Sequence, residues 1–378
     1  MGVNETYIAA SHILSPLGNG TAANWAAIRQ GQSGVALHQK KEFRDQPLCA
    51  ALFSAEQWQG IGEQLPEDFT AFEQLLAGSI KNALAETQVD LKDPRTLFLL
   101  ASTKGNIGLL EPGAADPQQV TSLQGSAKKI GNWFGYHSVP MVVSNACISG
   151  LTALMTAKRL MDAGLYDRAV VAGADCISPF IVAGFRSFQA LSDEVCKPFD
   201  LHRKGINLGE AAATIFLSKT AATISLSGGS TSSDANHISG PSRTGAEMAQ
   251  AIDVAMQRAG IEPGEVGGIS AHGTATSFND EMESKAFVLS GLAQAPAFSL
   301  KAYFGHTLGA AGLLESAIAI EALGQGMVPA SMGYTAHGVS EAVNITSAWL
   351  SDTGIRHLVK TGSGFGGCNA ALVFSKKN

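Results

Sequence analysis

Four separated stretches carry residue types that could do chemistry together. The first is MVVSNACISGLTAL, where Cys147 lies between an apolar strand-like run (141–143) and a helix-like run rich in Ala, Leu and Met. A cysteine at that junction faces the unpaired N–H groups and positive dipole end of a helix, which favour thiolate over thiol. A thiolate is a nucleophile for acyl transfer. The second stretch is GISAHGTATSFNDEMESKAF. His272 closes a short strand, and Thr274 and Thr276 offer hydroxyls on one side of an extended segment. Asn279 is placed to cap the next helix, on which Asp280 and Glu283 share a face at i, i+3.

The third stretch, SLKAYFGHTLGAAGLLESA, sets His306 before a small-residue helix with Lys301 five residues upstream. A histidine at a helix N-terminus is held neutral, so its N–H can donate to a developing oxyanion. The fourth, TGSGFGGCNAALV, surrounds Phe365 with Gly362, Gly364, Gly366 and Gly367. Such a backbone can approach a ligand closely. The Phe365 N–H could then serve as an oxyanion donor and its ring as a gate. Each stretch also has a plainer reading: Cys147 as a small core residue, His272 as a satisfied strand-end histidine, Lys301 as surface, the glycines as an ordinary turn.

The elements that must position these groups alternate between strand and helix. Strands are expected over 138–146, 168–174, 211–217, 266–271, 357–361 and 369–374. Helices are expected over 148–163, 244–259 (stopped by Gly260), 279–290 and 308–323. This alternation predicts layered sheets covered by helices. The small residues of 148–163 and 308–323 predict helices that pack closely or cross the centre. AATIFLSK (212–219) resembles NAALVFSK (369–376), which reads either as two similar core strands or as a duplicated half-domain with a junction near 219–225. Residues 37–70 read as a charged surface excursion and 111–126 as a polar loop leading into a helix.

Composition narrows the function classes. The chain has 378 residues, is 45% apolar and 15% charged, and holds 42 glycines, which suits a large, densely packed α/β core. A net charge of −6 argues against a nucleic-acid partner. No apolar run reaches membrane-spanning length, and the opening residues lack a secretory pattern. The five cysteines (Cys49, Cys147, Cys176, Cys196 and Cys368) are scattered without a CxxC pair, which argues against a disulfide framework or zinc site and fits a cytoplasmic location.

Taken together, SNACISG, AHGTATSFNDEMESKA, KAYFGHTLGAAG and GFGGCNAALV occur in the order of one family. The chain resembles an elongating β-ketoacyl-acyl-carrier-protein synthase, with KPFDLHRKGINLGEAAA (197–213) and SSDANHISGP (232–241) as further matches. The resemblance implies an α/β thiolase-like fold of duplicated α-β-α-β-α halves with the active site between them. Residues 1–222 would carry the nucleophile, and 223–378 the two histidines and Lys301. It implies that Cys147 takes the acyl chain, that the N–H groups of Cys147 and Phe365 hold the oxyanion, and that His272 and His306 stabilise the enolate left by decarboxylation. It further implies that Lys301 and Glu283 organise the histidines, and that Thr274, Thr276, Ser239 and Gly366 contact substrate. No cofactor is implied beyond carrier phosphopantetheine. The implied partners are an acyl carrier protein and a second subunit, in a homodimer or in a heterodimer with a related synthase-like chain.

Several positions depart from the family pattern. Ser363 replaces a Phe, Cys368 replaces a Thr, and the stretch between Lys104 and Cys147 is short, which suggests a specialised, secondary-metabolic synthase. Phe180, Phe185 and Phe188 read either as pocket lining or as core. Among basic pairs, Arg203–Lys204 is favoured for carrier docking over Lys128–Lys129 and Lys158–Arg159. A non-condensing chain-length-factor-like subunit would lack Cys147, and an initiating synthase would carry Asn in place of His272. A thiolase would use a second cysteine as base, but Cys368 follows the glycines rather than preceding them.

Overall fold

The protein is described by a computed structural model over residues 5–39, 43, 46–63, 65–87, 89–110, 122–236 and 240–377. Its short strands are mostly apolar throughout, as strands covered on both faces must be. In the first half these are β1 (Tyr7–Ser15), β2 (Thr96–Ala101), β3 (Met141–Val143), β4 (Arg168–Asp175) and β5 (Ala211–Ser218), in the order β3-β2-β4-β5-β1. β2 runs parallel to β3 and β4, whereas β5 is antiparallel to β4 and β1. The second half has β6 (Ile224–Ser233), β7 (Val266–Ser270), β8 (Ala297–Phe298), β9 (His357–Gly364) and β10 (Cys368–Lys376). Their order, β8-β7-β9-β10-β6, repeats the first half strand for strand and direction for direction. β1 and β6 meet antiparallel at Tyr7 and Ser225, which joins the halves. The internal similarity of 212–219 and 369–376 therefore marks equivalent strands, β5 and β10.

In each half the third strand is followed by a central helix, Ser149–Asp162 after β3 and Ala311–Gln325 after β8. Small residues let these helices touch backbone to backbone. A β-carbon on Gly150 would lie 2.8 Å from the Leu313 nitrogen, and one on Gly312 would lie 2.9 Å from the Leu151 nitrogen. Leu313 also packs on Gly173 of β4, and Leu151 on Gly362 of β9, so the helix pair is sandwiched between the halves. Helix Ala311–Gln325 is accordingly buried on nearly every side. Helix Ala71–Ala85 covers the outer face of the first half against Phe98, Leu100 and Val170. Helix Ala246–Ala259 does the same for the second half against Val359 and Val373. The layers are thus helix, sheet, helix pair, sheet, helix. Gly150→Ala is expected to cost about 1–3 kcal/mol, because the neighbouring obstacle is backbone rather than a mobile side chain. The denaturation midpoint measures this.

Some elements differ from the sequence expectation. The strand expected over 138–146 is confined to Met141–Val143, at the sheet edge, where Val139 and Met141 are exposed. The helix expected from 279 begins at Ser277 with Thr276 as N-cap, so Asn279 does not cap it. Instead its amide donates to Asp280 and Glu283. The supposed surface excursion 37–70 holds the buried strand Leu48–Ala51, between Val35–His38 and Leu208–Gly209. Charged neighbours masked that apolar run. Residues 111–121 of the polar loop lie outside the described residues, and helix Leu123–Trp133 follows. Among the described residues no helix is long and apolar enough to cross a membrane.

Candidate active site

Every group singled out for chemistry follows the carboxyl end of a parallel strand, where open α/β sheets present their crevices. Cys147 follows β3, His272 follows β7, His306 follows β8, and Phe365 follows β9. The pairing of the halves across the central helices brings them to one cavity of about 520 Å³, lined by Cys147, His272, His306, Thr274, Thr276 and Phe365 among others. The backbone is strained around it. Among the described residues six non-glycine residues have positive φ, and Ala146, Gln189, Phe199, Ala275 and Leu308 are five of them. Each flanks or lines the site, and strain of this kind persists only where the surroundings enforce it.

Cys147 sits on a sharp elbow. Ala146 has φ 43°, and Ser149 Oγ accepts the Asn145 N–H at 2.8 Å and donates to the Ala146 carbonyl at 2.6 Å. The helix start at Ser149 is present as expected, but the thiolate is not favoured. Burial pushes the Cys147 thiol up to about 12, and neighbouring Cys368 and Asp175 reinforce this against the Lys301 ammonium and the Phe365 N–H. The residue is half-buried and lines the cavity. Iodoacetamide alkylation of Cys147, followed by peptide mass, should therefore keep accelerating from pH 7 to 10. A helix-stabilised thiolate would instead reach its plateau below pH 8.

The two imidazoles face each other edge to face, with ring centroids 5.3 Å apart at 85°. Burial holds both well below the ordinary histidine range, aided by the Lys301 and Lys360 ammonium groups. Both rings are neutral at physiological pH. His306 Nδ1 is buried without a hydrogen-bond partner among the described residues. The segment carrying it is fixed by its backbone: the His306 N–H donates to the Asn207 carbonyl at 2.7 Å, and the Gly209 N–H donates to the His306 carbonyl at 3.0 Å. The two chains run so close that a β-carbon on Gly209 would lie 2.0 Å from the Phe304 carbonyl oxygen.

Glu283 and Asp280 do share a helix face, and both hold the loop after β7. The Glu283 carboxylate accepts the N–H groups of His272 (2.8 Å) and Gly273 (2.7 Å) and the Thr361 hydroxyl (2.8 Å). Asp280 accepts the N–H groups of Thr274 (3.0 Å) and Phe199 (2.7 Å), while burial raises its carboxyl to about 7. Thr274 and Thr276 hydroxyls lie 2.8 Å apart on the cavity wall.

Lys301 is fully buried and pairs with Glu315 on the central helix, which also meets Lys360 at 2.7 Å. Asp175, at the end of β4, accepts the Gly309 N–H at 2.7 Å and the Ser102 hydroxyl at 2.7 Å, and so ties the turn after His306 to the first half. Sequence reasoning missed Glu315, Lys360 and Asp175. The available signal was a single charge inside each otherwise apolar run, since such residues are buried only when partnered.

The gate region departs in detail from expectation. The Phe365 N–H bonds to Cys147, and its exposed ring stacks on Phe185 (5.9 Å) and packs edge-on against Phe188 (5.3 Å). Phe185 and Phe188 line the cavity, whereas Phe180 does not. Gly364 leaves room above the nucleophile: its β-carbon would lie 3.0 Å from the Cys147 nitrogen and 2.9 Å from the Cys368 sulfur. Gly366 turns the chain outside the cavity lining, and Gly367 lies on it instead, where a β-carbon would lie 1.9 Å from the Asp234 carbonyl oxygen. Ser363 Oγ donates to Asn369 at 2.9 Å. Ser239 lies outside the described residues. The expected docking pair Arg203 and Lys204 lines the cavity, with the two side chains in different surroundings. Arg203 is almost buried, donates to the Asp200 and Gly338 carbonyls, and stands 3.9 Å from Asp280. Lys204 is exposed at the cavity mouth near Glu194, and the very exposed Phe278 lines the same cavity.

Comparison with known proteins agrees with this geometry. The β-ketoacyl synthase N-terminal domain matches residues 5–222, and the β-ketoacyl synthase C-terminal domain matches residues 222–335. The chain is 27% identical to 3-oxoacyl-[acyl-carrier-protein] synthase 2 of Vibrio cholerae, covering 100% of both chains. It is similar to a solved ketosynthase in complex with its chain length factor from Xenorhabdus doucetiae, at TM-score 0.89 and 25% identity, covering 99% of this chain and 98% of that one. The ishigamide ketosynthase/chain length factor shares the fold at TM-score 0.89 and 24% identity, covering 99% of each chain. With two domain models spanning most of its length and a thiolase-like arrangement of two equivalent sheet halves around paired helices, the chain belongs to the β-ketoacyl synthase family of carbon–carbon bond-forming acyltransferases.

Proposed function

We propose that this protein condenses an acyl group held on Cys147 with malonyl-acyl-carrier protein. The observation that supports it most is the convergence of one thiol and two neutral imidazoles on a single cavity, with the Phe365 N–H on the sulfur. The thiol attacks the carrier thioester, the new sulfur–carbon bond forms, and the carrier thiol leaves with the proton. The thiol is protonated at rest, so that proton must pass to a neighbouring base, and a neutral imidazole in the same cavity can take it. The tetrahedral oxygen meets the N–H groups of Cys147 and Phe365. Malonyl-carrier protein then presents its thioester oxygen to His272 and His306. The carbon–carboxylate bond breaks, carbon dioxide departs, and the electron pair becomes an enolate held by both imidazoles. The enolate carbon attacks the acyl thioester and Cys147 leaves. Neutral rings suit this step, because an imidazolium would pair with the malonyl carboxylate and stabilise the ground state that must react.

In this reading Lys301 and Glu283 position the histidines, and Thr274 and Thr276 meet the pantetheine arm. Lys204 and Phe278 form the rim where an acidic carrier docks. Residues 1–222 and 223–378 act as the two halves, and the protein works in the cytoplasm without a cofactor of its own. The exposed edge at Val139 and Met141 supports association with a second subunit through β3. A second reading, a catalytic subunit active only with a chain-length-factor-like partner, is supported by the ketosynthase complex from Xenorhabdus doucetiae. The test is product formation from a panel of acyl carriers with malonyl-carrier protein. β-Ketoacyl product from the isolated protein supports a self-sufficient synthase. Carbon dioxide release without acyl transfer points to the missing partner, and the absence of both events overturns the reading.

A further inference from the structure

Lys360 is the least expected ionised group in the molecule. It lies on β9 within HLVKTG, an otherwise apolar strand, and is 0% exposed. A buried ammonium is costly unless its hydrogens and charge are matched. Here four oxygens surround Nζ. It donates to the carbonyls of Thr361 (2.6 Å), Ser270 (3.2 Å) and Ala271 (3.3 Å), and forms an ion pair with Glu315 at 2.7 Å. These partners belong to different elements. Ser270 and Ala271 are the last residues before His272. Glu315 stands on the helix that follows His306 and is also the partner of Lys301, nine residues after that histidine. Thr361 bonds Glu283, which in turn holds the His272 N–H. One ammonium thus bridges the two supports from which the histidines project.

We propose that Lys360 is a positioning residue for the histidine pair, clamping the end of β7 to the central helix so that both imidazoles meet one substrate oxygen. This rests on the decarboxylating role given to His272 and His306 above. The clamp also has an electrostatic side. The groups facing the imidazoles are Lys301 before His306, Glu315 on the central helix, Lys360 on β9, Glu283 and Asp280 on helix Ser277–Leu289, and the Cys147 thiol. Glu283 is engaged by backbone N–H groups, Thr361 and Asn279, whereas Lys301 and Lys360 share one carboxylate. Losing Lys360 removes a cation that opposes protonation of both rings, so the acid limb of the reaction should move to higher pH.

The experiment uses the full-length protein with malonyl-acyl-carrier protein and reads carbon dioxide release. Lys360→Met should lower kcat for decarboxylation about 10- to 100-fold with KM changed less than about 2-fold, because small misplacements of reacting groups have that effect. Its acid limb should rise, while the rate of Cys147 alkylation by iodoacetamide should stay near that of the unsubstituted protein. Lys360→Gln keeps a donor for the carbonyls without the charge. It should fall between the two, and it is read by the same criteria if Lys360→Met does not fold. Unchanged kcat and acid limb in a folded variant overturn the proposal. So does an equal loss of decarboxylation and Cys147 reactivity, which would mean a merely structural role. His272→Ala and His306→Ala run alongside: if these also decarboxylate at full rate, it is the underlying reading that fails.

Discussion

Cys147→Ala is expected to abolish acyl transfer while leaving malonyl decarboxylation measurable. Loss of a nucleophile that forms a covalent intermediate costs about 10⁴-fold or more. Here no second thiol stands in its place: Cys368 is close by, but it is absent from the cavity lining and its sulfur is turned to the carbonyls of Phe365 (3.5 Å) and Asn145 (3.9 Å). The substitution is small, because the elbow is held by Ser149 and the strained Ala146 rather than by the sulfur. The histidines draw their position from Asn207, Glu283 and Asp175 through backbone hydrogen bonds that do not involve the Cys147 side chain. Intact-protein mass after incubation with acyl carriers reads the first half-reaction, and carbon dioxide release from malonyl-carrier protein reads the second. Retained acyl loading in Cys147→Ala would remove Cys147 from the mechanism.

His272→Ala or His306→Ala should produce the opposite split. Decarboxylation should drop about 10²- to 10³-fold, since each imidazole N–H is an oxyanion donor worth about 3–4 kcal/mol in the transition state. Acyl loading of Cys147 should fall less in each single variant, because its oxyanion donors are backbone N–H groups and the remaining imidazole can still take the thiol proton. The double variant should lose little beyond either single one, as two groups acting on one oxygen work as a unit. There is also a stability signature. Both rings are held neutral by burial, so the unfolded chain binds more protons below about pH 6.5 than the folded one does. Folding stability therefore declines as pH falls through that value, and each alanine variant should flatten that decline in a denaturation series. A pH-independent difference between variant and parent would show that the rings titrate alike in the folded and unfolded chains.

Local sequence carried a good deal of this. Strand–elbow–helix around Cys147 was legible because an apolar run, a small-residue turn and a helix-forming run succeed one another within a few residues. The duplication was legible as two similar strands, since equivalent places in equivalent halves face equivalent packing. The crossing of the central helices followed from Gly150 and Gly312 among alanines and leucines, because only small residues allow backbones to touch. The pair Asp280 and Glu283 was readable from helical periodicity alone. The positions of Cys147, His272 and Phe365 after strand ends were also local facts, whereas the two-residue strand Ala297–Phe298 before His306 was too short to read.

What only the tertiary structure decided are quantities set by neighbours distant in sequence. The state of the Cys147 thiol is one: the helix start argued for a thiolate, but burial by elements from both halves argues more strongly for a thiol. The fate of Arg203 is another, since its guanidinium is claimed by the carbonyl of Gly338, 135 residues away. Val139 and Met141 belong to an apolar run expected as strand yet lie at an open edge, because strand order, not hydrophobicity, determines which strand ends a sheet. The buried Lys301–Glu315–Lys360 cluster is the clearest case. Its members lie 14 and 45 residues apart, each alone in an apolar run, and their charges are tolerable only because the fold brings them together. Covalent order determined which residues could react. Long-range burial and pairing determined in which protonation state, and against which partner, each of them stands.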